Sequence, residues 1–326
     1  MTFENPLRTL WRGGGGAVNG WLSIGNSFSA EIMAGQGYDS VTVDLQHGAL
    51  DYADALAMFQ AMRASGAAPL ARVPWLDPGA IMKALDAGAY GIICPMVNTR
   101  DEAERFAACL RYPPLGTRSF GPTRVSFAAG PDYYARANAE VVGLAMIETA
   151  EAVANLDAIV ATPGLDGVYV GPADLTLGVT GGRLAPGFDR EEPEMDAVIG
   201  RVLAAAKGAG LRAGIHCGAP DYAAAALRRG FDLVTVANDV RLLANWTDMK
   251  YTSTNVADIY FKERAMYDIK LQYSINRRYD VFLDVNNVNA ASDECLAGSQ
   301  YGVFPQAIGM LWPGSPTYQA AFHPLD

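Results

Sequence analysis

Long apolar runs are missing from this chain. Nothing in its 326 residues approaches the roughly eighteen uninterrupted apolar positions that a membrane-crossing helix needs. The opening residues, Met1-Thr2-Phe3-Glu4-Asn5-Pro6, lack a basic start followed by an apolar stretch, so no secretory leader is expected. Basic charge is also short. Lys plus Arg number 25 against 35 Asp plus Glu, the net charge is −10, and no Lys/Arg run stands out, which argues against a nucleic-acid partner. The four cysteines, Cys94, Cys109, Cys217 and Cys295, have no metal-type spacing, so they are expected to be core thiols in a reducing cytoplasm. Histidine occurs only three times.

What is present is packing material. Half of the residues are hydrophobic and Gly and Ala are abundant, which favours a large α/β core. Apolar, β-rich runs recur at 18–24, 40–45, 69–74, 91–97, 141–147, 167–170, 212–217 and 232–237. They are continuous rather than alternating, as expected of parallel strands buried on both faces. Helical signals fall between them. Asp51 opens 52–64, Asp77-Pro78 puts a cap before a Pro at the first helical position, and Asp101-Glu102 starts a further helix with negative charge at its N-terminus. Two more helices are expected at 151–160 and 195–206. Eight such units mean a TIM (β/α)8 barrel or a doubly wound sheet, and the lack of a Gly-x-Gly-x-x-Gly fingerprint after the first run favours the barrel.

In a barrel the chemistry sits where strands end and loops begin. Gln46-His47, Arg72, Glu148, Asp174 and His216 fall there. Glu148 and Asp174 follow adjacent runs, and two hard carboxylates with open positions suit a divalent ion. They could equally be loop carboxylates bonded to backbone amides. Arg72, inside an apolar strand, needs an anion, either a substrate carboxylate or enolate or an acidic neighbour. His47 suits proton transfer near neutral pH, and Asp86 is either its partner or a surface residue.

The texture changes near Asn245. Residues 246–326 are about a quarter of the chain but hold seven of its fifteen tyrosines. Strict alternation at 266–275, a turn at Asn276-Arg277-Arg278 and renewed alternation at 279–285 read as a β-hairpin with one apolar face.

The motifs Asp44-Leu45-Gln46-His47-Gly48, Arg72-Val73-Pro74-Trp75, Leu85-Asp86-Ala87-Gly88, Pro95-Met96-Val97, 111–118 (RYPPLGTR), Ile147-Glu148-Thr149 and Gly171-Pro172-Ala173-Asp174-Leu175 resemble the HpcH/HpaI family of class II pyruvate aldolases over about residues 5–244. That resemblance implies a divalent cation (Mg²⁺, Mn²⁺ or Co²⁺) on Glu148 and Asp174 and an acid/base dyad of His47 and Asp86. It also implies that Arg72 stabilises the enolate and that the amides of Ala173 and Asp174 hold the ketoacid carboxylate. No Schiff-base lysine is required, and no Lys sits in any of the eight runs.

Ketoacids, either pyruvate or hydroxypyruvate, and aldehydes are then the expected small-molecule partners, with no nucleic acid and no membrane, in a cytoplasmic homo-oligomer that the resemblance makes a hexamer. Two departures stand out. Met146 replaces a Gln found in many members, and His216 replaces an aliphatic residue, so it could contact the aldehyde or admit a more polar donor. Oxaloacetate decarboxylation or macrophomate synthase-like enolate chemistry is the competing enzymatic expectation. A membrane-associated binding module is the non-enzymatic one.

The segment 245–287 resembles the last strands of a TonB-dependent outer-membrane receptor. With too few strands to close a barrel it is expected to be an appendage on a 1–245 aldolase barrel rather than an independent domain.

Overall fold

Each of the eight apolar runs forms a strand: β1 (Ala17–Leu22), β2 (Ser40–Asp44), β3 (Ala68–Arg72), β4 (Gly91–Cys94), β5 (Val142–Ile147), β6 (Gly167–Val170), β7 (Arg212–Cys217) and β8 (Leu233–Val236). The computed structural model describes residues 3–243 and, beyond them, the backbone of strands at 269–276, 279–285 and 297–300. The eight strands pair in parallel with their sequence neighbours, and β1 closes onto β8. The expected TIM barrel is the observed one. Parallel neighbours require crossovers, and the helices supply them.

Helix α1 (Pro6–Arg12) precedes the barrel; α2 (Ser27–Ala34), α3 (Tyr52–Ala61), α4 (Pro78–Ala87) and α5 (Arg100–Leu110) follow β1 to β4. Helices α6 (Thr123–Ala129) and α7 (Tyr133–Glu140) lead into β5, α8 (Ala150–Ala154) and α9 (Leu156–Val160) follow it, α10 (Pro172–Thr180) and α11 (Pro193–Gly208) follow β6, and α12 (Pro220–Arg229) follows β7. Asp51 and Asp77 cap α3 and α4 as expected. Helix α5 starts one residue before Asp101, because the Thr99 hydroxyl accepts the Glu102 amide in a capping box. The single helix expected at 151–160 is two, broken at Asn155, whose side-chain amide donates to the Asn98 carbonyl at 2.9 Å.

Two apolar layers result. Leu70, Ile93, Val142, Leu144, Met146, Tyr169 and Leu233 fill the barrel together with Leu7 and Trp11 of α1, which plugs its N-terminal mouth. The larger layer lies between strands and helices. Asp39, Asp166 and Asp232, each just before an even-numbered strand, accept the amides of Val18, Gly143 and Ala213 on the preceding strand at 2.8 Å. These carboxylates lock the closed end and leave the opposite mouth for chemistry. Cys94, Cys109 and Cys217 are buried free thiols, whereas Cys295 lies outside the described residues. No helix among the described residues is long and apolar enough to cross a membrane.

The chain divides into units Met1–Leu242 and Leu243–Asp326. In the second, β9 (Ile269–Asn276) and β10 (Tyr279–Val285) pair antiparallel, which is the expected hairpin, and β11 (Ala297–Gln300) adds a third antiparallel strand that sequence reasoning did not anticipate.

Candidate active site

The register of β2 against β3 sets Asp44 beside Arg72, the last residue of each strand. The guanidinium forks onto the carboxylate, Nε to Oδ1 at 2.8 Å and Nη2 to Oδ2 at 2.6 Å. The anion beside Arg72 is therefore a protein carboxylate, and no hydrogen bond occupies Nη1 among the described residues. Asp44 also accepts the amides of Gln46 and His47 and, at 3.2 Å, the Trp21 indole N–H. Burial raises its pKa, but the hydrogen bonds and charge of Arg72 outweigh burial and hold it below the ordinary carboxylate range. His47 sits exposed in the turn that Asp44 organises, and Gln46 keeps a buried Oε1 with no partner.

Glu148 immediately follows β5 and is 2 % exposed. Its Oε1 accepts the Met96 amide at 2.7 Å. The run expected as a strand over 91–97 ends at Cys94, and Met96 takes a left-handed φ of 55° that turns its N–H to the carboxylate. A side chain on Gly171 would put its Cβ 2.7 Å from Glu148 Oε2, so a larger residue at the end of β6 would displace that carboxylate oxygen. Burial pushes the Glu148 pKa up, the Met96 amide and Arg72 pull it down, and Asp174 raises it further, to about 7.

Helix α10 begins at Pro172, has no side-chain cap at Gly171, and carries Asp174 in its first turn. Pro172 has no N–H, and the amides of Ala173 and Asp174 make no hydrogen bond among the described residues, so the helix start offers two donors to an anion.

A buried Glu148, with an oxygen that accepts no hydrogen bond among the described residues, beside an exposed Asp174 close enough to raise its pKa, fits a divalent cation, since only a cation or a proton offsets the buried charge. Among the described residues no cluster of three protein ligands exists. Two carboxylates would leave the remaining positions to substrate oxygens and water, the arrangement that Mg²⁺-like ions accept.

His216 lies on β7 in register with Thr235. Its ring stacks on Phe188 at 4.5 Å and meets Trp21 edge-on at 4.9 Å, and Nδ1 is 3.3 Å from the Tyr169 hydroxyl. Tyr169 leans over Gly214, where a Cβ would come within 2.7 Å of its ring. Burial above all, with Arg72 and Arg241 adding, lowers the His216 pKa to about 3 against the opposing pull of Asp44. Arg72 also lies 4.9 Å over the Trp21 ring. Arg72, Glu148, Asp174 and His216 therefore share one electrostatic neighbourhood.

Asp86 does not join His47 within the chain. Arg118, stacked on Tyr112 and wholly buried at its side chain, donates to Asp86 Oδ1 at 2.7 Å, and the His47 ring makes no hydrogen bond among the described residues. The buried guanidinium is the stronger claimant for that carboxylate. Met146, the departure noted in the sequence, is packed into the barrel interior. Sequence reasoning missed Asp44 as the organiser of Arg72 and the turn, although it opens the motif that carries His47. It also missed Trp21, Met96 and Tyr169, which carry no charge pattern to mark them.

The model of the HpcH/HpaI aldolase/citrate lyase family matches residues 19–245. A hydroxypyruvate/pyruvate aldolase of Rhizorhabdus wittichii is 47 % identical over 240 residues, covering 74 % of this chain and 94 % of that protein. A 4-hydroxy-2-oxo-heptane-1,7-dioate aldolase of Salmonella dublin is 34 % identical, over 74 % of this chain and 91 % of that protein. The crystal structure of an HpcH/HpaI aldolase/citrate lyase family protein from Burkholderia cenocepacia matches with a TM-score of 0.69 at 34 % identity, over 76 % of this chain and 97 % of that one. With the carboxylate pair, the Arg72 fork and the open helix start at one barrel mouth, this chain belongs to the HpcH/HpaI aldolase/citrate lyase family.

Proposed function

We propose that this chain is a metal-dependent carbon–carbon lyase, a class II pyruvate aldolase that adds pyruvate or hydroxypyruvate reversibly to an aldehyde and cleaves 4-hydroxy-2-ketoacids. The observation that carries the reading is the buried Glu148 carboxylate, raised to about 7 with Asp174 among the causes, in the electrostatic reach of the Arg72 guanidinium, which keeps a free edge.

Glu148 and Asp174 hold the divalent cation, which when bound supplies the positive charge that polarises the keto carbonyl. The ketoacid carboxylate rests on the Ala173 and Asp174 amides at the start of α10. Arg72, fixed through Nε and Nη2 by Asp44, turns its remaining edge to the oxygen on which enolate charge develops, so no reorganisation is needed as that charge grows. His47, exposed on the turn after β2, moves the proton between the C4 oxygen and solvent. Trp21 and His216 close the interior side and exclude water from the developing charge. His216 contacts the substrate.

The same reading takes Mg²⁺, Mn²⁺ or Co²⁺ as the cation and a cytoplasmic homo-oligomer as the working form. It treats 246–326, with its likeness to TonB-dependent receptor strands, as taking no part in the chemistry.

The test is release of pyruvate from 4-hydroxy-2-ketoacids, coupled to lactate dehydrogenase, by the metal-stripped full chain with and without Mn²⁺ or Mg²⁺. Turnover restored by metal and abolished in Glu148→Ala supports the proposal. Turnover indifferent to chelation, or retained in Glu148→Ala, overturns it.

A further inference from the structure

His47 is exposed, and its ring makes no hydrogen bond among the described residues. The backbone of its turn therefore aims the ring, and that backbone is held at both ends. At the start, the Asp44 carboxylate accepts the Gln46 and His47 amides at 3.1 and 3.3 Å, and the Asp44 carbonyl accepts the Gly48 amide at 3.1 Å. At the other end, the Ala49 amide donates to the Ser23 carbonyl at 2.8 Å, and Ala49 forms a parallel bridge with Ile24.

Ser23 and Ile24 lie past the last residue of β1, outside the barrel ladder, so the strand pairing does not fix them. Asp239 does. It lies just past β8, the strand that closes the barrel onto β1, and is 3 % exposed. Its Oδ1 accepts the Ser23 and Val240 amides at 2.9 Å each, and its Oδ2 accepts the Ile24 amide at 3.1 Å. No ion pair balances this carboxylate among the described residues, so three backbone donors offset the buried charge. Gly25 lets the two loops touch: a Cβ there would lie 2.9 Å from Leu50 Cβ and 3.0 Å from the Ala49 carbonyl oxygen. One route of hydrogen bonds thus runs from the end of β8, through the end of β1, to the far end of the His47 turn.

We propose that Asp239 is a positioning residue for His47: by fixing Ser23 and Ile24 it fixes Ala49, and with it the aim of the ring that takes up the C4 hydroxyl proton in cleavage. This rests on the aldolase reading, which gives His47 that proton. Asp44 holds the start of the same turn but also holds Arg72. Asp239 makes no hydrogen bond to Arg72, Glu148 or Asp174, so its loss spares the metal and enolate side of the site.

The experiment is a double-mutant cycle between Asp239→Asn and His47→Ala, read as pyruvate release from a 4-hydroxy-2-ketoacid by the Mn²⁺-loaded full chain. Asn keeps the size of the side chain but turns an NH₂ group toward an amide that the carboxylate accepted. Asp239→Asn alone lowers kcat about ten- to a hundredfold, as for a base displaced by up to ~1 Å, with KM and apparent Mn²⁺ affinity within about twofold of the parent. On the His47→Ala background, slower than the parent by about 10²–10⁴-fold, the same substitution costs less than about twofold further, because its effect runs through a ring that is gone. Equal losses on the two backgrounds, or a fall in Mn²⁺ affinity, make Asp239 a purely structural residue and overturn the proposal. So does a kcat of Asp239→Asn within about twofold of the parent.

Should Asp239→Asn not fold, Ala49→Pro takes its place. It deletes the amide that donates to Ser23 and leaves Asp239 untouched. The same dependence on His47 is expected, and equal losses on both backgrounds again count against the proposal. Absence of metal-dependent turnover in the unmutated chain sinks the aldolase reading and this inference together. Metal-dependent turnover that survives His47→Ala at the parent rate sinks only the inference.

Discussion

Replacing Asp44 by Asn removes one charge from the corner where β2 meets β3 and keeps the shape of the side chain. The Asp44 and Arg72 side chains are 3 % and 12 % exposed, and two hydrogen bonds of 2.8 and 2.6 Å join them. Removing one member of so enclosed a pair leaves the guanidinium uncompensated, at a cost of about 3–5 kcal/mol. Asn still offers one oxygen to Arg72, so Asp44→Asn belongs near the lower end and Asp44→Ala near the upper.

The pH dependence follows from the carboxylate pKa, which lies below its unfolded value. The stabilisation is present above the unfolded value and is lost as pH falls through the folded one. The gap between parent and Asp44→Asn is therefore constant around neutrality and narrows in strong acid. Because Arg72 and the turn bearing His47 both hang on this carboxylate, kcat/KM falls about a hundredfold, the penalty for a misplacement near 1 Å. Urea denaturation and steady-state pyruvate release measure the two effects. An Asp44→Asn protein within about 1 kcal/mol of the parent would refute the claim that Asp44 compensates Arg72.

Two further outcomes follow from the site. Apparent Mn²⁺ affinity of the metal-stripped protein rises about tenfold per pH unit up to about 7 and levels above it, because Glu148, raised to about 7, must lose its proton to bind; calorimetric titration across pH checks this, and a flat profile contradicts it. The metal-free protein also loses stability as pH climbs from the ordinary glutamate range toward 7, since the folded carboxyl holds its proton longer than the unfolded one, and added metal restores it in a melting curve. Asp86→Ala strips the anionic partner from Arg118, whose side chain is wholly buried, whose Nε already lacks an acceptor and which keeps only the Tyr133 hydroxyl. It destabilises by about 3–5 kcal/mol with metal affinity unchanged, and a loss under about 1 kcal/mol would return Asp86 to the side of His47.

The barrel was legible because a parallel strand buried on both faces is a continuous apolar run, and eight such runs separated by capped helices leave few architectures. The errors fall where a local hydrogen bond outranks composition. Thr99 rather than Asp101 starts α5, because a hydroxyl on the cap position satisfies an amide that a charge further along cannot reach. Asn155 divides the helix expected at 151–160 by bonding to Asn98, a contact between loops that no window of sequence contains. Strand β4 stops three residues early because Met96 is needed in a left-handed conformation to reach Glu148.

The site was legible by position and illegible by partner. Glu148, Asp174, Arg72 and His216 announced themselves as polar residues at the ends of apolar strands, and the fold gathers them. Who pairs with whom depends on register and on competition. Asp44 takes Arg72 because the β2–β3 register puts them side by side, and Arg118 takes Asp86 from a loop more than thirty residues downstream. His216 is the sharpest case. In sequence it is one histidine in an apolar strand, open to roles as base, ligand or packing. In the fold, Tyr169 sits 3.3 Å from its Nδ1 with Thr235 and Asn19 behind, and burial with Arg72 and Arg241 lowers its pKa to about 3. The chemistry of that ring is a property of the interior network rather than of the histidine.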